Sequence, residues 1–427
     1  MGLWLAGAAL GVVAGASVLV TTHYLAIGLG AAAVAAALIR TDNRSETLVA
    51  AYWLTYVGVS TLFRDQAVDR LFYPFYAVFV VSAIAGLVRG GIRMDTRTVW
   101  LYAVMVFLLI ASLTGYQGSV SPSGLQQLTL YVFGALVMLQ VRSARGSRPI
   151  AVAAAITSLA VSVWVIFNAV QGGFSYRGDV RVDQNVVSFY VGVGLLVVLA
   201  AWLNRPRERG HAMFTAGLLA ALAIMLYAML LLASRGLLLA AAVAIVALFV
   251  REALRDRKRL VAMAFLMALV AIGLLLPGGR GVLQRFEDPG AVTAGGRTQI
   301  WSIVGAEFAA SGPTQLLFGH GFGASGELVT SHFTGLVATH SAYLQVVYDL
   351  GVTGLLVFLA LHLRLWVHGW RAPGQAGGIV MATTTFLLVT NLGINTPDNF
   401  LYWAIMGWFL AKAQWLSHDA ALEEART

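Results

Sequence analysis

The chain of 427 residues contains no cysteine, which excludes disulfides, thiolate nucleophiles and cysteine-bound zinc. An exported face stays compatible with that absence. Charge is scarce, at 11% of residues against about 25% in a soluble domain. Lysine is almost missing: only Lys258 and Lys412 stand among 28 basic residues. No cleavable signal peptide stands out. The opening MGLWLAGAALGVVAGASVLV lacks a basic leading region and runs into more apolar sequence, so it reads as a first helix. Internal repeats, low-complexity tracts and a separate soluble domain are also lacking.

What remains is oil. Hydrophobic residues make up 59% of the chain and the mean hydropathy is +0.80, values of an integral membrane protein. Apolar runs near the 20 or so residues of a span recur along it. The periodicity predicts an all-α polytopic protein with fourteen transmembrane helices. They lie near 3–20, 23–39, 47–63, 71–88, 98–114, 125–141, 149–170, 186–203, 212–233, 236–250, 260–276, 342–363, 376–393 and 400–416. Twelve is the alternative count, because the 236–250 run is short and the turn at Thr21-Thr22 is tight. The expected organisation is eleven spans over 1–276, one long outer loop with short helices over 277–340, three spans over 341–416, and a cytoplasmic tail over 417–427.

The net charge of +9 is a matter of topology before partners. With a cytoplasmic N-terminus, the loops on that side hold twenty of the 28 basic residues, which fixes both termini inside and explains the basicity without nucleic acid. Arg251 and Arg255 belong to that inner set. Eight arginines stay on the outer side: Arg64, Arg70, Arg177, Arg181, Arg235, Arg280, Arg285 and Arg297.

The one long polar interruption, Gly295 to Leu355, carries the sharpest candidates. His340 lies in THSAYLQVV, where polar loop turns into apolar helix, with Thr339 or Ser341 as the helix cap. In a helix's first turn the positive dipole end disfavours the imidazolium, and a neutral imidazole suits a general base. An interfacial histidine bonded to backbone would account for the same residue. Arg297 follows two glycines and precedes an amphipathic helix with Ile300, Trp301, Val304 and Phe308 on one side. Guanidinium and helix N-terminus together make an anion site, unless the arginine snorkels to headgroups.

Arg235, in LLLASRGLLLAAA, places a charge between two apolar helices. Insertion scales put that at about 2.5–3.5 kcal/mol at mid-helix, which marks function by default. Arg177 and Arg181 interleave with Asp179 and Asp183, so ion pairing within the loop competes with a supporting role. Asp398 opens the last helix as a cap, or orients a histidine or accepts a sugar hydroxyl. His320 and His332 read as surface or packing residues. The outer acids, Asp349 among them, are scattered and show no D-x-D or H-x-x-x-H spacing; neither a P-loop nor a G-x-S-x-G elbow occurs. These features describe a membrane enzyme with an outer-face site for a phosphorylated, lipid-linked substrate, in which arginines hold phosphate and a histidine removes a proton.

The segments GGRTQIW, LLFGHGFGAS and THSAYLQVVYDLGVTGLL, with ASRG upstream, resemble the signature region of the O-antigen ligase and O-antigen polymerase family. The order is G-R-x-x-I-W, G-x-G-x-G, then H-S-x-x-L followed by two spaced glycines, over about 295–356. The resemblance implies a GT-C-like glycosyltransferase of the bacterial inner membrane with a periplasmic active site. It implies transfer of an undecaprenyl-diphosphate-linked O-antigen onto lipid A-core, without metal or other cofactor. Arg235 matches the S-R-G arginine, Arg297 the G-R arginine and His340 the H-S histidine; Asp398 matches the family's late acid in a looser context. The polymerase, a protein O-oligosaccharyltransferase and a lipid-linked oligosaccharide transporter are the rival readings.

Overall fold

The structure is a computed structural model. It describes residues 96–115, 130–139, 147–170, 184–204, 212–256, 297–333, 339–394 and 402–411 with single exceptions, and short pieces within 49–80 and 261–272. Among these residues every regular element is helical, as the periodicity predicts. The helices are α1 (Thr96–Gly115), α2 (Ser147–Val170), α3 (Gln184–Leu203), α4 (Ala212–Leu232), α5 (Arg235–Arg255), α6 (Arg297–Ala309), α7 (Pro313–Phe318), α8 (Ala324–His332), α9 (Ala342–Arg371), α10 (Gly374–Thr390) and α11 (Tyr402–Ala411). Five are long and apolar enough to cross a membrane: Ile150–Val170, Gln184–Leu203, Met213–Leu232, Arg235–Arg255 and Ala342–Arg371. The 236–250 run, short in the sequence reading, is a full helix of 21 residues. The spans expected at 3–20 and 23–39 lie outside the described residues.

The chain divides into two compact units. One comprises 1–92, 139–234 and 261–279. Its axis is α3, which is buried along nearly its whole length between α2 and α4. An apolar helix with no polar face reads as buried or lipid-facing, and here both occur, for Val163, Phe167 and Met213 on α2 and α4 are exposed. Ser158 donates to the Tyr190 carbonyl at 2.7 Å, and Ser234 donates to Asn185 Oδ1 at 2.8 Å.

The other unit comprises 93–138, 235–260 and 280–427. Its centre is α9, which the sequence reading made a simple span over 342–363. The helix instead reaches Arg371 and breaks at Gly351, where φ is 70° and ψ is −174°. Fifteen residues of straight helix would separate Tyr343 from Phe358 by about 22 Å, yet their rings meet edge to face at 6.1 Å. The limb 342–350 therefore folds back on the limb 352–371, and the latter alone, at about 30 Å, is long enough to span.

The glycine-rich turn between α7 and α8 makes this bend. Breaking a helix orphans its last carbonyls; those of Tyr348 and Asp349 accept from His320 N–H at 2.9 Å and Gly321 N–H at 3.1 Å. The Asp349 carboxylate, buried, accepts from the backbone N–H of Gly323 at 3.2 Å and Ser325 at 2.8 Å, holding the start of α8. A Cβ on Gly351 would lie 2.3 Å from the Leu317 carbonyl carbon, and one on Gly319 would strike the Asp349 carbonyl at 2.2 Å. Backbone meets backbone there, and only hydrogen fits at either α-carbon.

At the far end of the unit Arg251 and Glu252 form a fully buried ion pair on α5. Arg251 also donates to the Ala372 carbonyl and, at 3.5 Å, to that of Gly374. Counted by topology as one of the inner basic residues, it acts here as a clamp on the turn that joins α9 to α10. Arg255 adds bonds to the carbonyls of Trp370 at 2.9 Å and Arg371 at 3.2 Å.

Candidate functional site

His340 stands before α9 with φ 54°, the one non-glycine residue with positive φ among the described residues. That region costs an L-residue roughly 1–2 kcal/mol and persists where neighbours over-determine it. The neighbours do so from both sides. Thr339, buried, accepts the Ser341 N–H on Oγ1 at 3.3 Å and donates its hydroxyl to the Ser341 carbonyl at 2.9 Å, closing a loop around His340. Trp301 Nε1–H fixes the Thr339 carbonyl at 3.1 Å. Ser341 is the N-cap, accepting from Leu344 N–H at 3.5 Å. Rather than in the helix's first turn, His340 lies two residues ahead of the first helical residue, because Ser341 takes the cap. His340 is half-buried there.

Arg297 opens α6, as expected from its glycines and the apolar stripe behind it. Ile300 and Val304 are buried in a cluster with Val329 and Tyr348, against which Trp301 and Phe308 pack. Trp301 lies one turn on from Arg297, on the same helix face. The other side of the arginine meets the turn after α10, where a Cβ on Gly393 would be 3.4 Å from Arg297 Nη1. That same turn holds the histidine segment: the Asn391 carbonyl accepts from Ala342 N–H at 3.0 Å and from Ser341 Oγ–H at 3.5 Å. A closed circuit results, from Arg297 through Trp301 and Thr339 to His340, then through Ser341, Asn391 and Gly393 back to Arg297. The segments that carry His340 and Arg297 are thereby tied to the same turn.

Arg235 is placed by helix register. Arg251 reaches Ala372 and Gly374, and Leu248 lies against Gly378, so α5 and α10 pack antiparallel. From Arg251 back to Arg235 and from Gly374 on to Thr390 the rise is the same, about 24 Å. Arg235, half-buried as the first residue of α5, is therefore level with the Thr390–Gly393 turn. All three predicted residues occupy one end of this unit.

The remaining candidates divide. Arg177, Arg181 and Asp398 lie outside the described residues. His320 is a packing residue: its ring stacks on Tyr348 at 4.2 Å and Nε2 meets Ser311 Oγ at 2.9 Å. His332 sits exposed on α8, bonded to the Leu328 carbonyl at 3.0 Å. Three residues escaped the sequence reading. Asp349 passed as one of several scattered acids, although an acid just before a helix-breaking glycine was a signal. Trp301 was assigned to an apolar face, which hides its N–H donor. Asn391 had no signal at all, since its partner Ala342 is far away in sequence.

The fold is that of a multi-pass helical membrane protein, and Arg235, Arg297 and His340 all lie at ends of helices in one of its units. A sequence model of the family described as O-antigen ligase matches residues 220–359, which include Arg235, Arg297 and His340. The matched region covers about a third of the chain and is similar to that family, in agreement with the motif resemblance. That similarity supports an O-antigen ligase or polymerase type of function broadly, with lipid-linked glycans as the general substrate class. No curated protein matches the chain.

Proposed function

We propose that this protein is an O-antigen ligase of the bacterial inner membrane, transferring a glycan from undecaprenyl diphosphate to a sugar hydroxyl of lipid A-core on the periplasmic side. The observation that carries this reading is the circuit of contacts joining His340 and Arg297 through the Asn391–Gly393 turn, with Arg235 level with it. A diphosphate needs its developing charge neutralised, and two guanidiniums supply that bidentately. The acceptor hydroxyl needs a base within hydrogen-bond reach, and half-buried His340 lies on the segment that the Asn391–Gly393 turn joins to Arg297.

In the proposed step the acceptor oxygen bonds to the anomeric carbon as its proton passes to the His340 imidazole. The bond from that carbon to the phosphate oxygen breaks, and its electron pair leaves on polyprenyl diphosphate beside Arg235 and Arg297. Attack opposite the leaving group inverts the anomeric configuration. The imidazolium then loses its proton to solvent. Neither a nucleotide nor a metal is required, because the leaving group arrives activated and its countercharge comes from arginine.

The test incubates purified protein with lipid-linked glycan and lipid A-core, without nucleotide. Glycan-extended lipopolysaccharide from the wild-type protein, lost in His340→Ala, is the expected result. Longer lipid-linked chains would make the protein a polymerase, and the absence of both products would favour a transporter.

A further inference from the structure

His362 takes no part in the step above, yet it is fully buried in the spanning limb of α9. An ionisable side chain at such a position is a functional candidate in its own right. Its hydrogen bonds run in one direction. The Phe358 carbonyl, which can only accept, takes the Nδ1–H at 2.8 Å, leaving Nε2 as acceptor. Tyr402 O–H then donates to Nε2 at 2.6 Å. The Tyr402 oxygen accepts from Asn391 Nδ2–H at 3.3 Å. Asn391, buried, offers its backbone carbonyl to Ala342 N–H and Ser341 Oγ–H, the two residues that follow His340.

We propose that His362, Tyr402 and Asn391 are positioning residues: a hydrogen-bond chain anchored in the membrane interior that fixes the 390–394 turn, and through it His340 and Arg297. The proposal rests on the reading of those two residues as the reacting groups. Apolar side chains would join the three helices without the expense of burying polar groups, but they would not set the rotation of Asn391. That rotation decides where its carbonyl meets the His340 segment and where Gly393 meets the guanidinium. The bend at Gly351 makes the chain short enough to work, since it brings Phe358 and His362 to the level of the folded-back limb.

The experiment compares Tyr402→Phe, His362→Leu and His362→Gln in the full-length purified protein. Gln retains an acceptor near the Nε2 position. Tyr402→Phe and His362→Leu should lower kcat about tenfold or more with KM for the lipid-linked donor changed less than about twofold, while His362→Gln recovers most of the rate. Hydrogen exchange supplies a readout independent of catalysis: the peptide over 339–346 should exchange about tenfold faster in Tyr402→Phe, with 374–386 unchanged. Unchanged exchange at 339–346, or faster exchange with an unaltered kcat, overturns the proposal. If the wild-type protein transfers no glycan, the functional reading fails, and the exchange result alone decides whether the chain positions the His340 segment. Should Tyr402→Phe not fold, Asn391→Ser keeps the carbonyl and cuts the link to Tyr402, and the same two quantities apply to it.

Discussion

Tyr343 and Phe358 touch ring to ring although they stand fifteen positions apart, on opposite sides of Gly351. The contact requires the bend at Gly351, and the bend puts the His340 end of α9 beside the middle of its spanning limb. Gly351→Ala should therefore act on the whole site. Its Cβ would meet the Leu317 backbone at 2.3 Å in a conformation already unfavourable to L-residues. We expect a loss of about 2 kcal/mol or more, seen as a lower thermal midpoint in detergent and faster proteolysis between 310 and 325.

The strain at His340 predicts how substitutions separate fold from chemistry. Asn tolerates the left-handed region better than Ala. His340→Asn should then unfold at nearly the wild-type temperature, while transfer falls by about 10²–10⁴-fold, the range for a lost general base. An active His340→Asn enzyme would remove the histidine from the mechanism.

Trp301→Phe tests the link between α6 and the histidine segment. It deletes the bond from Nε1–H to the Thr339 carbonyl and trims the ring that packs on the Ile300–Val304 cluster. A loss of about 1 kcal/mol in stability is expected, together with faster hydrogen exchange over 339–341.

Gly393 touches the arginine rather than the histidine. Gly393→Val would crowd Arg297 Nη1, 3.4 Å from the first added carbon. The expected outcome is weaker binding of the lipid-linked donor, as a raised KM, with the thermal midpoint little changed. Arg297→Lys should behave worse than its charge suggests, because the ammonium has no two-pronged geometry for diphosphate.

The Arg251–Glu252 pair predicts stability alone. Arg251→Met takes the guanidinium from a buried carboxylate and releases two carbonyls of the turn after α9, at a cost of about 3–5 kcal/mol. Folded yield measured by size-exclusion chromatography should collapse, and the double change Arg251→Met with Glu252→Gln should recover part of it.

The sequence by itself settled the helical class, because lipid leaves backbone groups no partner but their own helix and long apolar runs announce that state. It also singled out Arg235, Arg297 and His340, since polar and charged groups beside apolar helices are rare in such a chain and visible locally. Tertiary structure alone decided that Arg297 and His340 share the Asn391–Gly393 turn, that α9 folds back at Gly351, and that Asp349, Asn391 and His362 matter. Those facts depend on which distant carbonyl each donor meets. A hydrogen bond between residues fifty positions apart leaves no mark on the local pattern of either one.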